Sequence, residues 1–451
     1  MRNTQSSRLE SLPSELFLTI AEHADFEARL SLSATNSLCR TLLLQTIFRT
    51  LRITSDEVEA NQVLALAKEI GDNVRAISFH GTAGPNPTPD EQDHDQNTTD
   101  SQQWALPPAA AALLGGEHLP NATTLIVHFS FDFDSGDGTW DSRDDLSDGM
   151  SMYAFTVEET SKAMIDESEA EFPWRRLMAQ TWASACANRN TTELIVKDLI
   201  PKAVSPWFSP QWERFLGQIL VADIQIWGGD NSVGWEVGTL EGYMYFIARL
   251  DTYFFNFMKN TETLRLTCYE HGPLGSTWTG VKDTMSLRPE CFPRLQHLRI
   301  KYLVICAELA AFLQSKRDML KHITLHECFA SDEPGPFTWA DFFAALRKSK
   351  PKWQSFSVTN DYAPPLTFKE WHKSRFGQKD EEEGEEPESV KSVRAELVRD
   401  PKKRLFLYAT LTDKYGDRWP VEDSIMEHFE AGRDLDEFEK LMCLIGETGE
   451  F

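Results

Sequence analysis

Apolar positions are densest at the start of the chain. In LPSELFLTI, Leu12, Leu16 and Ile20 recur at i, i+4 and i+8, the spacing of one helix face. Pro13 suits a first helical turn, where its missing N–H would have no partner anyway. A second short helix is expected over 27–34. A third is expected from Ser37, a fitting N-cap, through LCRTLLLQTIFRTL, so that residues 9–53 read as helical. Three short helices cannot bury all the leucines, isoleucines and phenylalanines of this stretch among themselves. The surplus must face the rest of the chain or another protein.

Through the middle the pattern changes to short runs of period two. LKHITLHEC, from Leu320, fits L-x-x-L-x-L-x-x-N/C, and LQHLRIKYL, TETLRLTCY, VADIQIWGG, TTELIVKDL and WQSFSVTN fit it more loosely. ATTLIVHF and VRAISFHG are weaker still. The central apolar pairs are Leu194/Val196, Ile224/Ile226, Leu264/Leu266, Leu298/Ile300, Ile323/Leu325 and Phe356/Val358, at steps of 30, 40, 34, 25 and 33 residues. Helical spacing lies between them, as in ELAAFLQSKRDML and WADFFAALRKSK. The expected fold class is α/β: a helical N-terminal unit, then an irregular leucine-rich-repeat-like solenoid with inward apolar pairs and a concave side, then a C-terminal cap. A doubly wound sheet uses the same alternation and is the alternative. Near the end, RLFLYATLT from Arg404 reads as strand, VEDSIMEHF from Val421 as helix, and 435–445 as a further helix.

Two polar stretches punctuate this pattern. Residues 82–103 read as a solvated loop and the acidic run DEEEGEEPES as a linker. The expected layout is therefore 1–55, 56–375 including that loop, an acidic linker over 376–394, and a strand and helix cap over 395–451.

Composition narrows the class. Apolar residues make up 41% and charged residues 25% of 451, which is globular usage. The net charge of −25 opposes non-specific nucleic-acid binding and attraction to anionic membranes, so neither partner is expected. Seven scattered cysteines without a CxxC, and an N-terminus without an apolar leader, point to a reduced, cytoplasmic or nuclear protein. No apolar run is long enough to span a bilayer.

Candidate chemistry is sparse. FDFDSGDGTWD is off the calcium-loop register by one residue. His322, His326 and Cys328 lie close together, but lack a second pair at zinc spacing, so no metal is expected. WGGDNSVGW matches no phosphate-binding loop, and no catalytic signature stands out; neither enzyme activity nor a cofactor is expected. The concave side carries Arg265, His297, Arg299, Lys301, His322 and His326, with Lys197 and Trp227 further along. In so acidic a chain this basic cluster is a candidate site for an acidic or phosphorylated segment of a target protein. Pairing with the chain's own carboxylates is the alternative.

LPSELFLTI followed by LSLSATNSLCRTLL resembles the F-box, L-P-x-E-[LI]-x-x-x-I and a helix pair, over residues 9 to about 53. Ala24 stands where a leucine is common, and Arg40-Thr41-Leu42 replaces the usual Trp or Arg pair. PWRRLMAQTWASA, IWGGDNSVGWEVGTLEGY and RLFLYATLTDKYGDRW resemble recurrent phrases of fungal F-box proteins with irregular leucine-rich repeats. That resemblance implies a non-catalytic substrate receptor of an SCF-type cullin–RING ubiquitin ligase. The F-box would dock a Skp-family adaptor, and through it cullin, using Leu12, Pro13, Leu16, Ile20, Leu30, Leu32, Leu38 and Leu42. A scaffold without a role in ubiquitination is the alternative.

Overall fold

A computed structural model describes residues 12–82, 105–131, 133, 152–230, 234–271, 274–275, 285–332, 337–361, 387–400, 402–411 and 415–448. It opens with α1 (Ser14–Glu22), α2 (Phe26–Thr35) and α3 (Ser37–Ile47). The Asp25 side chain accepts the Ala28 N–H and that of Asn36 accepts the Cys39 N–H, so Asn36 rather than Ser37 caps α3. Phe17, Ala21, Cys39, Leu43 and Ile47 form a core of their own. The Leu12/Leu16/Ile20 stripe is not the buried side of α1; Phe17 and Ala21 are. Helicity ends at Ile47, and the residues that follow, expected to be helical, form strand β1 (Thr50–Thr54).

The chain then runs α4 (Glu57–Ile70), β2 (Ala76–Thr82), α5 (Pro108–Leu114), β3 (Thr124–Ser130), α6 (Lys162–Glu171), α7 (Pro173–Ala185) and β4 (Glu193–Leu199). Next come α8 (Pro210–Gly217), β5 (Val221–Ile226), α9 (Glu241–Ala248), β6 (Thr263–Thr267), β7 (His297–Lys301), α10 (Ala307–Ser315) and β8 (His322–His326). A short β9 (Ala330–Ser331), α11 (Trp339–Lys348) and β10 (Ser355–Thr359) follow. Nine strands make one sheet in the order β1-β2-β3-β4-β5-β6-β7-β8-β10, and all its pairs are parallel.

Each new strand adds to the same edge. Right-handed crossovers then place every connecting helix on one face. The ring contacts agree: Trp182 of α7 meets Phe129 of β3, and Phe343 of α11 meets Phe356 of β10. All six apolar pairs point into this layer and are buried, as are Ile77/Phe79 and Leu125/Val127. Trp182, Trp207 and Trp212 fill the layer, with ring centroids 5.4 to 6.1 Å apart, and Trp212 Nε1 donates to Tyr253 O at 2.7 Å. Also buried, Arg175 grips Glu159 through two bonds of 2.6 and 3.0 Å, with Lys202 Nζ 3.9 Å from the same carboxylate.

This architecture corrects the expected fold class. The molecule is an α/β fold built on a central nine-stranded parallel sheet, in place of a helical F-box followed by a leucine-rich solenoid. The doubly wound alternative fails too, because its strand order reverses and this one does not. The repeated L-x-L phrase encodes only a strand buried on one side. It does not specify what the connections pack into, and here they build one continuous aromatic layer.

The C-terminal region adds α12 (Glu388–Arg399), β11 (Tyr408–Leu411), β12 (Arg418–Pro420), α13 (Glu422–Ala431) and α14 (Arg433–Thr448). β11 pairs with β9 in parallel and with β12 antiparallel. Gly432 ends α13 in the left-handed region at φ 67°, which costs glycine nothing. Asp434 then accepts the Ala340 N–H at 2.9 Å and the Tyr408 hydroxyl at 2.8 Å, tying α14 to the start of α11. Of the expected acidic linker, 376–386 lie outside the described residues, and Glu388 begins α12. Of the expected loop over 82–103 only Thr82 is described, at the end of β2. Within FDFDSGDGTWD only Phe131 and Phe133 are described, and both are buried.

Candidate functional site

With the connecting helices on one side, the outward positions of the other face are mostly exposed or half-buried among the described residues. The chemistry of that face follows from the alternate residues of each strand. On β6, β7, β8 and β10 the pairing aligns these residues into three rungs. The first rung is Thr263, His297, His322 and Ser355. The second is Arg265, Arg299, Thr324 and Ser357, and the third is Thr267, Lys301, His326 and Thr359. Every one of these positions offers a hydrogen-bond donor, and none is a carboxylate or an apolar side chain. The β2–β5 half differs: among its outward positions, apolar Ala76, Ile126, Ile195 and Val221 and acidic Glu193 and Asp223 are mixed with Ser78, His80, Thr124, His128, Lys197 and Gln225.

The structure thus gathers all six predicted basic residues on one patch, in two different states. His297 and His322 stack with centroids 5.0 Å apart, and His322 Nδ1 shares a 2.8 Å hydrogen bond with Ser355 Oγ. Burial, then the neighbouring His322 and Lys321, pulls the His297 imidazole below its ordinary value. Asp361, from the turn after β10, reaches Lys301 Nζ at 3.5 Å and His326 Nε2 at 3.2 Å, so these two follow the alternative of internal pairing. Arg265 and Arg299 do not. They are exposed neighbours in register, and among the described residues neither has an ion-pair or hydrogen-bond partner. Asp223 stands opposite Arg265 on β5, yet no ion pair joins them.

Two further sequence candidates fall away from this patch. Lys197 faces outward on β4, beside His128, whose Nε2 lies 3.0 Å from Asp198. Trp227 packs inward against Phe133 and Phe155 at 4.9 and 5.0 Å. The hydroxyl positions Thr263, Thr267, Thr324, Ser355, Ser357 and Thr359 were missed from sequence. Extending the alternation from each basic residue along its own strand would have found them.

The N-terminal unit presents a second surface. Leu16, Ile20, Leu30 and Leu38 are 54, 50, 42 and 50% exposed, although the unit's core is filled without them. Pro13 is exposed and Leu12 half-buried. Leu32 and Leu42, expected at the same surface, are half-buried against the inner core.

A third cluster was invisible in sequence because its members lie far apart in the chain. Glu236, His271 and Asp417 are buried, with ligand-type atoms within 4.8 Å of one another. Their geometry fits a tie better than a cation site. The Arg418 N–H donates to His271 Nδ1 at 3.1 Å, and the Tyr269 hydroxyl donates to Glu236 Oε2 at 2.5 Å. With Nδ1 accepting, Nε2 carries the proton of a neutral imidazole, the reverse of a metal-bound histidine, whose outer nitrogen donates.

Among the described residues no helix is long and apolar enough to cross a membrane. No protein-family model matches this chain, and no curated protein matches it.

Proposed function

We propose that this chain is the substrate-binding subunit of an SCF-type cullin–RING ubiquitin ligase. In this reading the N-terminal helices, with their F-box resemblance, dock a Skp-family adaptor and through it cullin, while the open sheet face holds a target protein. The observation that carries it is the exposure of Leu16, Ile20, Leu30 and Leu38 on a unit whose own core is complete. Large apolar side chains left in water at helix faces are the chemistry of helix-in-groove docking. Burying the exposed half of each is worth about 1 kcal/mol by area, enough together to drive association once shape fits.

The mechanism is proximity. A two-ended receptor raises the effective concentration of its target at the transfer machinery, without chemistry or cofactor of its own. Its place is where such ligases act, in the cytoplasm or nucleus.

The test is co-expression with a Skp-family adaptor and cullin, wild type against a Leu16→Ala, Ile20→Ala, Leu30→Ala, Leu38→Ala variant. Wild type should co-purify with both partners, and the variant with neither. Capture of adaptor without cullin would favour a scaffold outside ubiquitination. Failure of the folded wild type to capture adaptor would remove the assignment.

A further inference from the structure

We infer that the carboxyl ends of β6, β7 and β8 form an arginine-recognition site, held closed in cis by Arg418, and that an arginine from a basic segment of a partner protein takes its place. Arg418 opens β12, and its side chain is buried against these strand ends. Its Cζ lies 5.4 Å from the ring centroid of Tyr302, the residue after β7, and 5.4 Å from that of Phe329, which follows β8. Its Nη1 donates to Glu327 O at 3.4 Å, and its Nη2 lies 3.6 Å from Oε1 of Glu270, which follows β6. Two aromatic rings, a carboxylate and a carbonyl acceptor complement a planar guanidinium. A lysine ammonium has no plane to stack and makes poorer use of such a cage.

Arg418 is held as a replaceable occupant would be. Arg175, the other buried arginine, makes bonds of 2.5, 2.6 and 3.0 Å to Ala203 O and Glu159. The Arg418 guanidinium, with five N–H donors, makes one hydrogen bond among the described residues, and that one is 3.4 Å long. A side chain kept only as a peg gains nothing from so loose a grip. The cage itself is under strain. Tyr302 and Glu327 lie in the left-handed region at φ 58° and 51°, although neither is glycine. Backbone strain of this kind clusters at ligand clamps. Both residues contribute to the cage, one its ring and the other its carbonyl.

The occupant can leave without disturbing the large sheet. β12 is an edge strand of the three-stranded sheet and pairs with β11 over three positions. The Glu270 side chain is 45% exposed, against 6% for Arg418, so the acidic rim of the cage already faces solvent. The chain's net charge of −25 draws basic segments towards it and repels acidic ones. Lifting β12 breaks the bond from the Arg418 N–H to His271 Nδ1, so that amide reports the displacement.

The experiment uses the full chain and short fluorescent glycine–serine peptides with one central arginine, lysine or citrulline, read by polarisation. Arg418→Ala empties the cage and should bind the arginine peptide at least tenfold tighter than wild type. The lysine and citrulline peptides should bind that variant at least tenfold more weakly than the arginine peptide, and millimolar ethylguanidinium should compete. Adding Glu270→Gln to Arg418→Ala should lose at least threefold of the arginine affinity. In wild type, hydrogen exchange with saturating arginine peptide should quicken across 415–420 and leave β6–β8 protected. Equal binding of the three peptides, or no gain in the folded Arg418→Ala variant, would overturn the proposal. So would unchanged exchange across 415–420 in wild type, a readout that stands even if Arg418→Ala does not fold.

Discussion

The N-terminal helices and the α/β body handle their apolar residues in opposite ways. The body carries its tryptophans into a layer where Trp182, Trp207 and Trp212 are all but inaccessible, and its open sheet face is polar from β6 onward. The helical unit fills a five-residue core and leaves four large aliphatic side chains about half in water. The difference is one of surface to volume: a unit of three short helices has too little interior for its leucines. It teaches where partners of each kind fit. The helical unit offers apolar area, and the body offers oriented donors.

The comparison breaks most directly through the cores. Trp212→Ala removes a buried indole and its bond to Tyr253 O, and should cost about 3–5 kcal/mol. Phe17→Ala should cost a similar amount, about 3–5 kcal/mol, but only in α1–α3, because that core is separate. Hydrogen exchange would then show the helices opening while the sheet stays protected. A loss of protection across both regions would mean that the two cores melt as one.

The next effect lies at the buried Lys202 and is read by pH. Burial first, and then the charge of Arg175, pushes the Lys202 ammonium down from 10.5 to about 8, against the pull of Glu159. Below pH 8 the folded and unfolded chains both hold this proton. Between pH 8 and 10.5 the unfolded chain holds more, so stability rises with pH across that window. The gain approaches about 3 kcal/mol. Denaturation midpoints from pH 7.5 to 10.5 should rise in wild type relative to Lys202→Met; parallel curves would show that Lys202 is not depressed.

Neighbouring residues on α1 sharpen the contrast at lower energy. Leu16→Ala should weaken adaptor capture by over about 2 kcal/mol if it sits at the centre of that contact. Its stability should stay within about 0.5 kcal/mol of wild type. Destabilisation by Leu16→Ala matching that of Phe17→Ala would mean that Leu16 serves the core. The smallest effect is expected at Asp361, which is 56% exposed beside Lys301 and His326. Asp361→Asn should change stability by less than about 0.5 kcal/mol. A larger loss in the denaturation midpoint would show that Asp361 positions the patch.

Much of this molecule was legible in the chain, wherever the cause is local. The inward pairs from Leu194/Val196 to Phe356/Val358 announce their strands because a strand buried on one side must alternate. The helices over WADFFAALRKSK and VEDSIMEHF follow from their spacing. The basic residues Arg265, Arg299 and Lys301 were found because they flank those pairs. The end of α3 at Ile47 was not legible, since FRTLRIT carries apolar spacing that suits a helix or a strand. The conversion to β1 is decided by the free edge of β2.

The sequence by itself determined which residues of each strand face inward and which helices are amphipathic, because those periods depend only on backbone geometry. The tertiary structure alone decided three things. It set the strands into one sequential sheet with a single helix layer. It turned Phe17 and Ala21, rather than Leu16 and Ile20, into the helical core. It placed Arg265 between Asp223 and Arg299 with no ion pair to either arginine among the described residues, while giving Asp361 to Lys301 and His326. The physical reason is that register and pairing join residues tens of positions apart. No local pattern records which strand a hydrogen bond will choose.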